Sequence, residues 1–199
     1  MLFRSTCNAF FDGGSVNFYQ AGGGCPNTAY STVVAHEMGH WLNVLYGTGN
    51  GSDGMGEGNA DVFGILLYNT PLLGADFLTP GSPLRNGNNL LQFCGDNNPG
   101  CHGGGSVHTN GQVWMGAVWK VYKELRTAYD ETTADMVTDA LFLGWMNSYN
   151  QTQIRSIIEA QWLTLDDNNG NIDDGTPHYP QIDAGFRIQG YPGYDLALI

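Results

Sequence analysis

The stretch Val33–Leu42 carries two histidines and a glutamate, His36, Glu37 and His40, at a spacing that can support hydrolytic chemistry. An α-helix turns once in about 3.6 residues, so His36 and His40 project from one face of a predicted helix. Two imidazoles on one face can hold a zinc ion, and Glu37 beside them is a candidate general base. For this pentapeptide taken alone, a chance match with satisfied core histidines is the alternative.

A catalytic zinc ion is typically held by three protein ligands and keeps one position open for water. In metzincins the third ligand is another histidine after a glycine turn, but Asn43 and Tyr46 occupy those positions here. A glutamate from a downstream helix is the other option, and Glu57 has the right type and position in the chain. Asp61, one turn later, is predicted to accept the second ring N–H of a zinc-bound histidine and fix its tautomer.

Composition and charge limit the class of protein. The chain has 199 residues and is 42% hydrophobic, which suits one domain with a sizeable core. Its net charge is −12 with only seven Lys plus Arg, so nucleic acid is excluded as a partner. No stretch is long and apolar enough to span a membrane, and Met1–Arg4 lacks the features of a signal peptide. We expect a monomer without a membrane partner.

Four cysteines form two locally spaced couples. Cys7–Cys25 with Cys94–Cys101 is the simplest of the three possible disulfide pairings. None of the four cysteines lies at the spacing that a zinc site made of cysteines would need. Disulfides would place the protein in an oxidising compartment, so we expect a secreted, extracellular protein.

The first half of the chain holds the predicted site. In residues 1–27, aromatic runs on both sides of a glycine turn predict a β-hairpin over 7–20. Residues 28–68 are predicted to hold two helices. The first would be capped by Thr28 or Ser31 and run to about residue 46. The second would cover 57–68 with an apolar stripe of Ala60, Phe63 and Leu67.

The second half is predicted to be a loop followed by helices. Residues 70–106 are rich in Pro, Gly and Asn and are predicted to be one long irregular loop. In the part over 107–199, Trp114, Val118 and Tyr122 form a core stripe on an apolar helix. Further helices are predicted over 131–148 and 152–165, and a final one from Thr176-Pro177. The predicted fold class is therefore α+β and predominantly helical.

The loop 166–175 contains alternating oxygen donors, Asp167, Asn169, Asn171 and Asp173, which suit a calcium ion. Ile172 stands where an EF-hand loop starting at Asp167 would need glycine, so that motif is excluded. A polar turn before the final helix is the alternative to a calcium site.

Four sequence motifs, in this order along the chain, resemble those of thermolysin-like metalloproteases. Their residues are most similar to those of the fungalysin branch. They are Asn8-Ala9-Phe10-Phe11, His36-Glu37-x-x-His40, Gly56-Glu57-x-x-Ala60-Asp61 and Val107-His108-Thr109-Asn110. The match runs from about residue 7 to the end of the helix predicted over 108–127. The resemblance implies a thermolysin-like zincin core with a short N-terminal β-hairpin and an active-site helix.

The same resemblance implies roles for individual residues. Glu37 would be the base that takes a proton from the attacking water, and His108 would stabilise the oxyanion. Asn8 and Ala9 would hold an extended substrate along an edge strand. Arg85 lies in a segment that resembles one whose arginine contacts a substrate carbonyl.

The sequence also departs from this family. Tyr46 is either a stand-in for the tyrosine that assists the oxyanion or an ordinary aromatic at a helix end. No aspartate precedes His108 where the family has one. Most of the N-terminal β-rich part is missing, as expected of a minimal core or a fragment of a longer precursor with an inhibitory prosegment.

The predicted function is a secreted zinc endopeptidase acting on peptides or proteins. The alternative is a zinc-bearing but inactive module that binds peptides or partners. Glu37 argues against that alternative, because metal binding alone has no use for its carboxylate. An aminopeptidase is a lesser variant, since no acidic cluster is found that would recognise a free N-terminus.

Overall fold

The computed structural model describes residues 7–49, 53–97, 101–102 and 104–197. Some predictions lie outside the described residues. They are those for residues 1–6, among them that Met1–Arg4 lacks the features of a signal peptide, and those for the loop residues 50–52, 98–100 and 103. In chain order the elements are β1 (Ala9–Phe11), β2 (Val16–Phe18), α1 (Ser31–Tyr46), α2 (Met55–Leu67), β3 (Leu72–Leu73), β4 (Arg85–Asn86), α3 (Val107–Ala128), α4 (Glu131–Ser148), α5 (Ile157–Asp166), a 3-10 turn (Ile172–Asp174) and α6 (Tyr179–Ile188).

The described part of the chain is α+β and mainly helical, as predicted. Its strands form two separate two-stranded antiparallel sheets, β1–β2 and β3–β4. None of its helices combines the length and the apolar character that crossing a bilayer requires.

The centre of the fold is α3. Every residue from Val113 to Tyr122 is buried, as expected for a helix that is covered on all sides. This helix packs against α2, α4 and α6. The predicted stripe along α3 is therefore core, and its Trp114 contacts the rings of Trp145, Trp162 and Phe186.

Glycines bring α1 and α2 close together. A Cβ built on Gly39 would lie 2.6 Å from the Cα of Ala60, so a larger residue would push the helices apart. Gly64 faces α1 in the same way, and a Cβ built on it would lie 3.1 Å from the carbonyl oxygen of Thr32. Because Gly39 directly precedes His40, the motif itself sets the separation of the two helices.

The apolar stripe predicted for α2 is only partly correct. Ala60 is fully buried against α1, but Leu67 is 58% exposed at the end of the helix. Met55, Val62 and Ile65 join the core instead. The helix packs between α1 and α3, so two of its faces are covered and a single stripe does not describe it.

The predicted N-terminal hairpin forms, and the Cys7–Cys25 disulfide closes its base. Neither Thr28 nor Ser31 caps α1, and that prediction is wrong: the N-cap residue is Tyr30, without a side-chain hydrogen bond. The Thr28 hydroxyl joins the hairpin instead. It accepts from the Tyr19 N–H at 2.9 Å and lies 2.9 Å from the Asn8 carbonyl oxygen.

Residues 70–106 are not one irregular loop, because β3 and β4 pair within them. The pairing holds Arg85 opposite Leu73 and thereby fixes the backbone position from which the Arg85 side chain extends. The second predicted disulfide, Cys94–Cys101, also forms.

The predicted start of α5 at residue 152 is wrong, and the helix begins at Ile157. The residues before it are held by two carboxylates from other loops. The Ser156 N–H and hydroxyl bond to Asp96 at 2.8 and 2.6 Å, and the Ile154 N–H bonds to Asp53 at 2.7 Å.

The last helix also starts later than predicted, at Tyr179 and not at Thr176-Pro177. Asp166 accepts hydrogen bonds from the Thr176 hydroxyl at 2.6 Å and from the His178 N–H at 2.7 Å. These bonds hold the segment as a turn before the helix.

A buried carboxyl group lies between α5 and α6. Glu159 is only 2% exposed. Burial raises its pKa to about 8, and the negative charge of neighbouring Asp183 adds to the effect. Asp183 stays ionised because Arg187 lowers its pKa against the opposing effect of burial. The fold therefore holds Glu159 as a neutral acid at pH 7.

We expect the contribution of Glu159 to the stability of the protein to fall as pH rises between about 4.5 and 8. In that window the unfolded chain releases the Glu159 proton while the folded chain keeps it, at about 1.4 kcal/mol per pKa unit. Glu159→Gln stays neutral, so its free energy of unfolding should exceed that of the wild type at pH 8, with a gap that closes towards pH 5. Thermal unfolding at three pH values measures this gap.

The control is Glu131→Gln, which removes an exposed carboxylate on α4. A difference between Glu159→Gln and wild type that stays constant from pH 5 to 8 would contradict a buried neutral acid.

Candidate active site

The two histidines of α1 point to the same side of the helix. Their rings stand edge to face with centroids 4.7 Å apart, and the Nε2 atoms of His36 and His40 are 3.1 Å apart. Both side chains line a cleft of about 500 Å³ between α1, α2, the start of α3 and the hairpin. Two ring nitrogens this close can share one proton or one cation.

Glu57, in the first turn of α2, reaches the same point. Its Oε2 atom lies 3.4 Å from His36 Nε2, 3.7 Å from His40 Nε2 and 3.3 Å from His108 Nε2. That oxygen is buried and has no hydrogen-bond partner of good geometry among the described residues. His36, His40 and Glu57 are thus near enough to one another to hold a metal ion.

Asp61 lies one turn after Glu57 and is fully buried. Its Oδ1 lies 2.7 Å from Nδ1 of His36. The Nδ1 proton is therefore directed at a carboxylate, which leaves Nε2 as the ring nitrogen of His36 that faces Glu57. Asp61 thus lies beside a ring nitrogen of His36, and its role towards a metal-bound histidine stays a prediction.

Arg85 pairs with the same carboxylate. Its Nε and Nη2 donate to the two oxygens of Asp61 at 2.6 and 2.7 Å. Burial would raise the pKa of Asp61, but Arg85 and His36 outweigh it and hold the pKa at about 2. Arg85 was predicted as a substrate contact, and in the structure it holds Asp61 and lines a second, smaller cavity beside the cleft.

Without a metal, the ionisable groups of the site have pKa values that are shifted in different directions. Burial would lower the pKa of His36, but the hydrogen bond to Asp61, the negative charge of Asp61 and the contact with Glu57 raise it to about 9. Burial and the positive charge on His36 lower the pKa of His40 to about 4. Burial would raise the pKa of Glu57, yet the three neighbouring histidines lower it. One cation at this point satisfies all of these groups.

Glu37 lies on the cleft side of α1 and is 5% exposed. Burial raises its pKa and the charge of Glu57 adds to this, while His36 and Arg85 oppose it. The backbone N–H of Phe11 donates to its carboxylate. Glu37 is therefore a carboxylate beside the histidines with an increased affinity for a proton.

The hairpin forms one wall of the cleft through β1. On one side β1 pairs with β2, with the Tyr19 N–H donating to Asn8 O and the Asp12 N–H to Ser15 O. Backbone groups alternate along an antiparallel strand, so those of Ala9 and Phe11 face the other side, towards the cleft. This free edge can pair with an extended chain.

A second cavity of about 200 Å³ opens beside Glu37 and His36. Its apolar lining, from which we call it the apolar cavity, contains Val33, Leu73, Phe77, Leu78 and Leu84, and polar residues including His36 and Glu37 complete the wall. It suits an apolar side chain.

His108 lies in the first turn of α3, which begins after the N-cap Ser106. Its side chain is 53% exposed and borders both cavities. Tyr46, the candidate stand-in for an oxyanion tyrosine, lines neither of them and packs against the core.

A second group that could hold a metal among the described residues is Cys94, Cys101 and His102. The two cysteines are joined in a disulfide, and the Cys94 N–H donates to Nδ1 of His102 at 3.3 Å. These residues therefore have a structural role, because they join the segment at Cys94 to the segment at Cys101 and His102.

The predicted calcium donors use their side-chain oxygens in hydrogen bonds, three of them within their own loop. Asp167 accepts from the Asn169 N–H, Asn169 from the Asn171 N–H, and Asn171 from the Asp173 N–H. Asp173 accepts from the hydroxyl of Tyr194. A polar turn accounts for these bonds, and calcium stays a prediction.

Sequence reasoning missed three parts of the site. The pairing of Arg85 with Asp61 joins residues 24 positions apart, and no local pattern signals it. The apolar cavity is assembled from α1 and both ends of the β3–β4 hairpin. The third is Asn43, which the sequence analysis considered only as a position where a metzincin would have glycine. A polar residue among the apolar residues of this helix was the signal that could have indicated a role.

The chain matches no model of a known protein family, and no curated protein matches it.

Asp61→Asn is expected to weaken binding of a divalent probe metal such as Co²⁺ by about 10–100-fold, because the His36 ring loses the carboxylate that orients it. Competition with a chromogenic chelator measures the affinity. Asp166→Asn is the matched control, since Asp166 lies 2.6 Å from Nδ1 of His178 in a similar pair elsewhere. Equal metal affinity in a folded Asp61→Asn variant would contradict the role of Asp61.

Proposed function

We propose that this chain is a zinc-dependent endopeptidase in which His36, His40 and Glu57 hold the metal. The observation that carries the proposal is the buried Oε2 of Glu57, which has no hydrogen-bond partner of good geometry among the described residues and lies 3.4 and 3.7 Å from two imidazole nitrogens. An unpaired buried carboxylate oxygen is costly unless a cation completes its environment. Asp61 holds the Nδ1 proton of His36, so Nε2 can act as a ligand once a metal displaces the second ring proton.

Two imidazoles and one carboxylate form a typical ligand set of hydrolytic zinc. When bound, zinc polarises a carbonyl group and lowers the pKa of water towards about 7. The set leaves room for water and substrate, because the cleft beside it is open.

Glu37 would be the general base. Its carboxylate lies in the cleft, and its raised pKa increases its ability to take a proton from water and pass it to the leaving amine. The Phe11 N–H that donates to it keeps the carboxylate turned towards the edge strand. An inactive binding module would not need such a group.

His108 would stabilise the oxyanion that forms during hydrolysis. It reaches into the cleft from the first turn of α3, where the backbone dipole also favours negative charge. Its Nε2 is 3.3 Å from Glu57, so its ring lies beside the predicted metal ligands.

A peptide would bind in extended form and add a strand to β1. The backbone groups of Ala9 and the carbonyl group of Phe11 would supply hydrogen bonds that do not depend on substrate sequence. Side-chain preference would come from the apolar cavity next to Glu37.

The thermolysin-like resemblance supports the same proposal, since the landmarks found in sequence line one cleft. The two disulfides are compatible with an extracellular protein. We therefore propose a secreted enzyme of the thermolysin-like, fungalysin-related type.

Glu37→Gln is expected to reduce cleavage of a quenched fluorescent peptide library by at least about 100-fold, the lower end of general-base contributions. The variant keeps the shape of the side chain and loses the base. Zinc content should stay at the wild-type level, because Glu37 is not among the proposed ligands.

Glu131→Gln, on the surface of α4, controls for the loss of a carboxylate. Cleavage that survives in Glu37→Gln would contradict the assigned base. No cleavage by wild-type protein that contains zinc would favour the binding module.

Leu84→Ala is expected to shift side-chain preference, because it enlarges the apolar cavity. The ratio of kcat/KM for a peptide with Trp to that for the same peptide with Leu should rise by roughly tenfold, within the range for hydrophobic pockets. An unchanged ratio would contradict the assignment of this cavity to substrate.

A further inference from the structure

We propose that Asn43 is a positioning residue that sets where Glu57 lies relative to His40. The inference rests on the proposed function, in that Glu57 is taken as a zinc ligand. Asn43 follows His40 by three residues on α1, and Gly56 directly precedes Glu57. The Asn43 side chain is therefore placed between the helix that carries His40 and the turn that carries Glu57.

The contact is direct and buried. Asn43 is 2% exposed, and its Nδ2 donates to the carbonyl oxygen of Gly56 at 2.9 Å. This bond ties the first turn of α2 to the ligand helix α1. A buried hydrogen bond of this kind is costly to break, because both groups lose their partner away from water.

The other end of the amide is also held. Its Oδ1 accepts from Asn59 Nδ2 at 2.9 Å, and Asn59 Oδ1 accepts from the indole N–H of Trp114 at 2.8 Å. The chain of bonds runs from α1 through α2 to α3, the centre of the core. Asn43 therefore cannot rotate without losing bonds at both ends.

At Gly49, the chain that leaves α1 passes close to Asn43 and Gly56. Gly49 has a φ of 83°, and a Cβ built on it would lie 2.6 Å from Asn43 Oδ1 and 2.9 Å from the Cα of Gly56. A backbone that passes this close needs glycine. The amide of Asn43 is thus enclosed by backbone on the side facing the loop.

The consequence concerns metal affinity. Glu57 can be a ligand only if its carboxylate stays within reach of His36 and His40, and zinc sites depend on outer groups that orient the ligands. A purely structural Asn43 would change stability alone. A positioning Asn43 would change the affinity for zinc by more than the stability loss explains.

The test is Asn43→Asp, which keeps the acceptor for Asn59 and replaces the donor to Gly56 with an oxygen. We expect a loss of zinc affinity of about 10–100-fold in chelator competition, with altered absorption bands of bound Co²⁺. The added negative charge would by itself strengthen cation binding, so a loss cannot come from charge. Asn43→Ser tests the same bond if the Asp variant does not fold.

Gln161→Ala is the matched control for stability, because Gln161 accepts from the Trp145 indole at 2.8 Å between α4 and α5. It should lower the thermal stability of the metal-free protein and leave zinc affinity unchanged. Folded Asn43 variants with wild-type zinc affinity would overturn the inference.

The comparison does not use peptide cleavage. A chain that binds zinc and cleaves no peptide would contradict the peptidase and still give a result for Asn43. A wild-type chain that binds no zinc would overturn both.

Discussion

The carboxylate of Asp61 is the group on which the rest of the site depends. It is fully buried, and it receives the ring of His36 from α1 and the guanidinium of Arg85 from β4. A buried carboxylate with two cationic partners is stable, whereas any one of the three alone would be costly. The same contact therefore joins three elements and selects the nitrogen that His36 presents to the cleft.

Close backbone packing supplies the second constraint. Gly39 allows α1 to touch Ala60 on α2, and Gly58 allows α2 to approach α3 near Trp114. Helices in such contact cannot slide without overlap of backbone atoms. The positions of His40 and Glu57 therefore follow from glycines, which carry no chemistry of their own.

The fold could be predicted from sequence where one segment carried its own pattern. The α1 motif, the apolar α3 and the glycine turn of the hairpin each gave the right element. The caps of α1 and α6 could not be predicted in this way. Thr28 and Thr176 have the right type, but distant partners, Asn8 and Asp166, use their hydroxyls.

The candidate site divides in the same way. His36, His40, Glu57 and Asp61 lie on two consecutive helices with known spacing, so helical geometry was enough to group them. Arg85 and the apolar cavity depend on the β3–β4 pairing, which is too short to leave a periodic pattern. Contacts between distant segments are set by packing, and one sequence gives no direct measure of them.

The free edge of β1 has a consequence for the choice of substrate. It is only three residues long, Ala9–Phe11, and it can bind only a segment that is already extended. A peptide bond inside a helix or a paired strand must first detach from its own hydrogen bonds. For a peptidase built this way, the folded stability of the substrate around the bond would decide which proteins are cut, before any side chain is recognised.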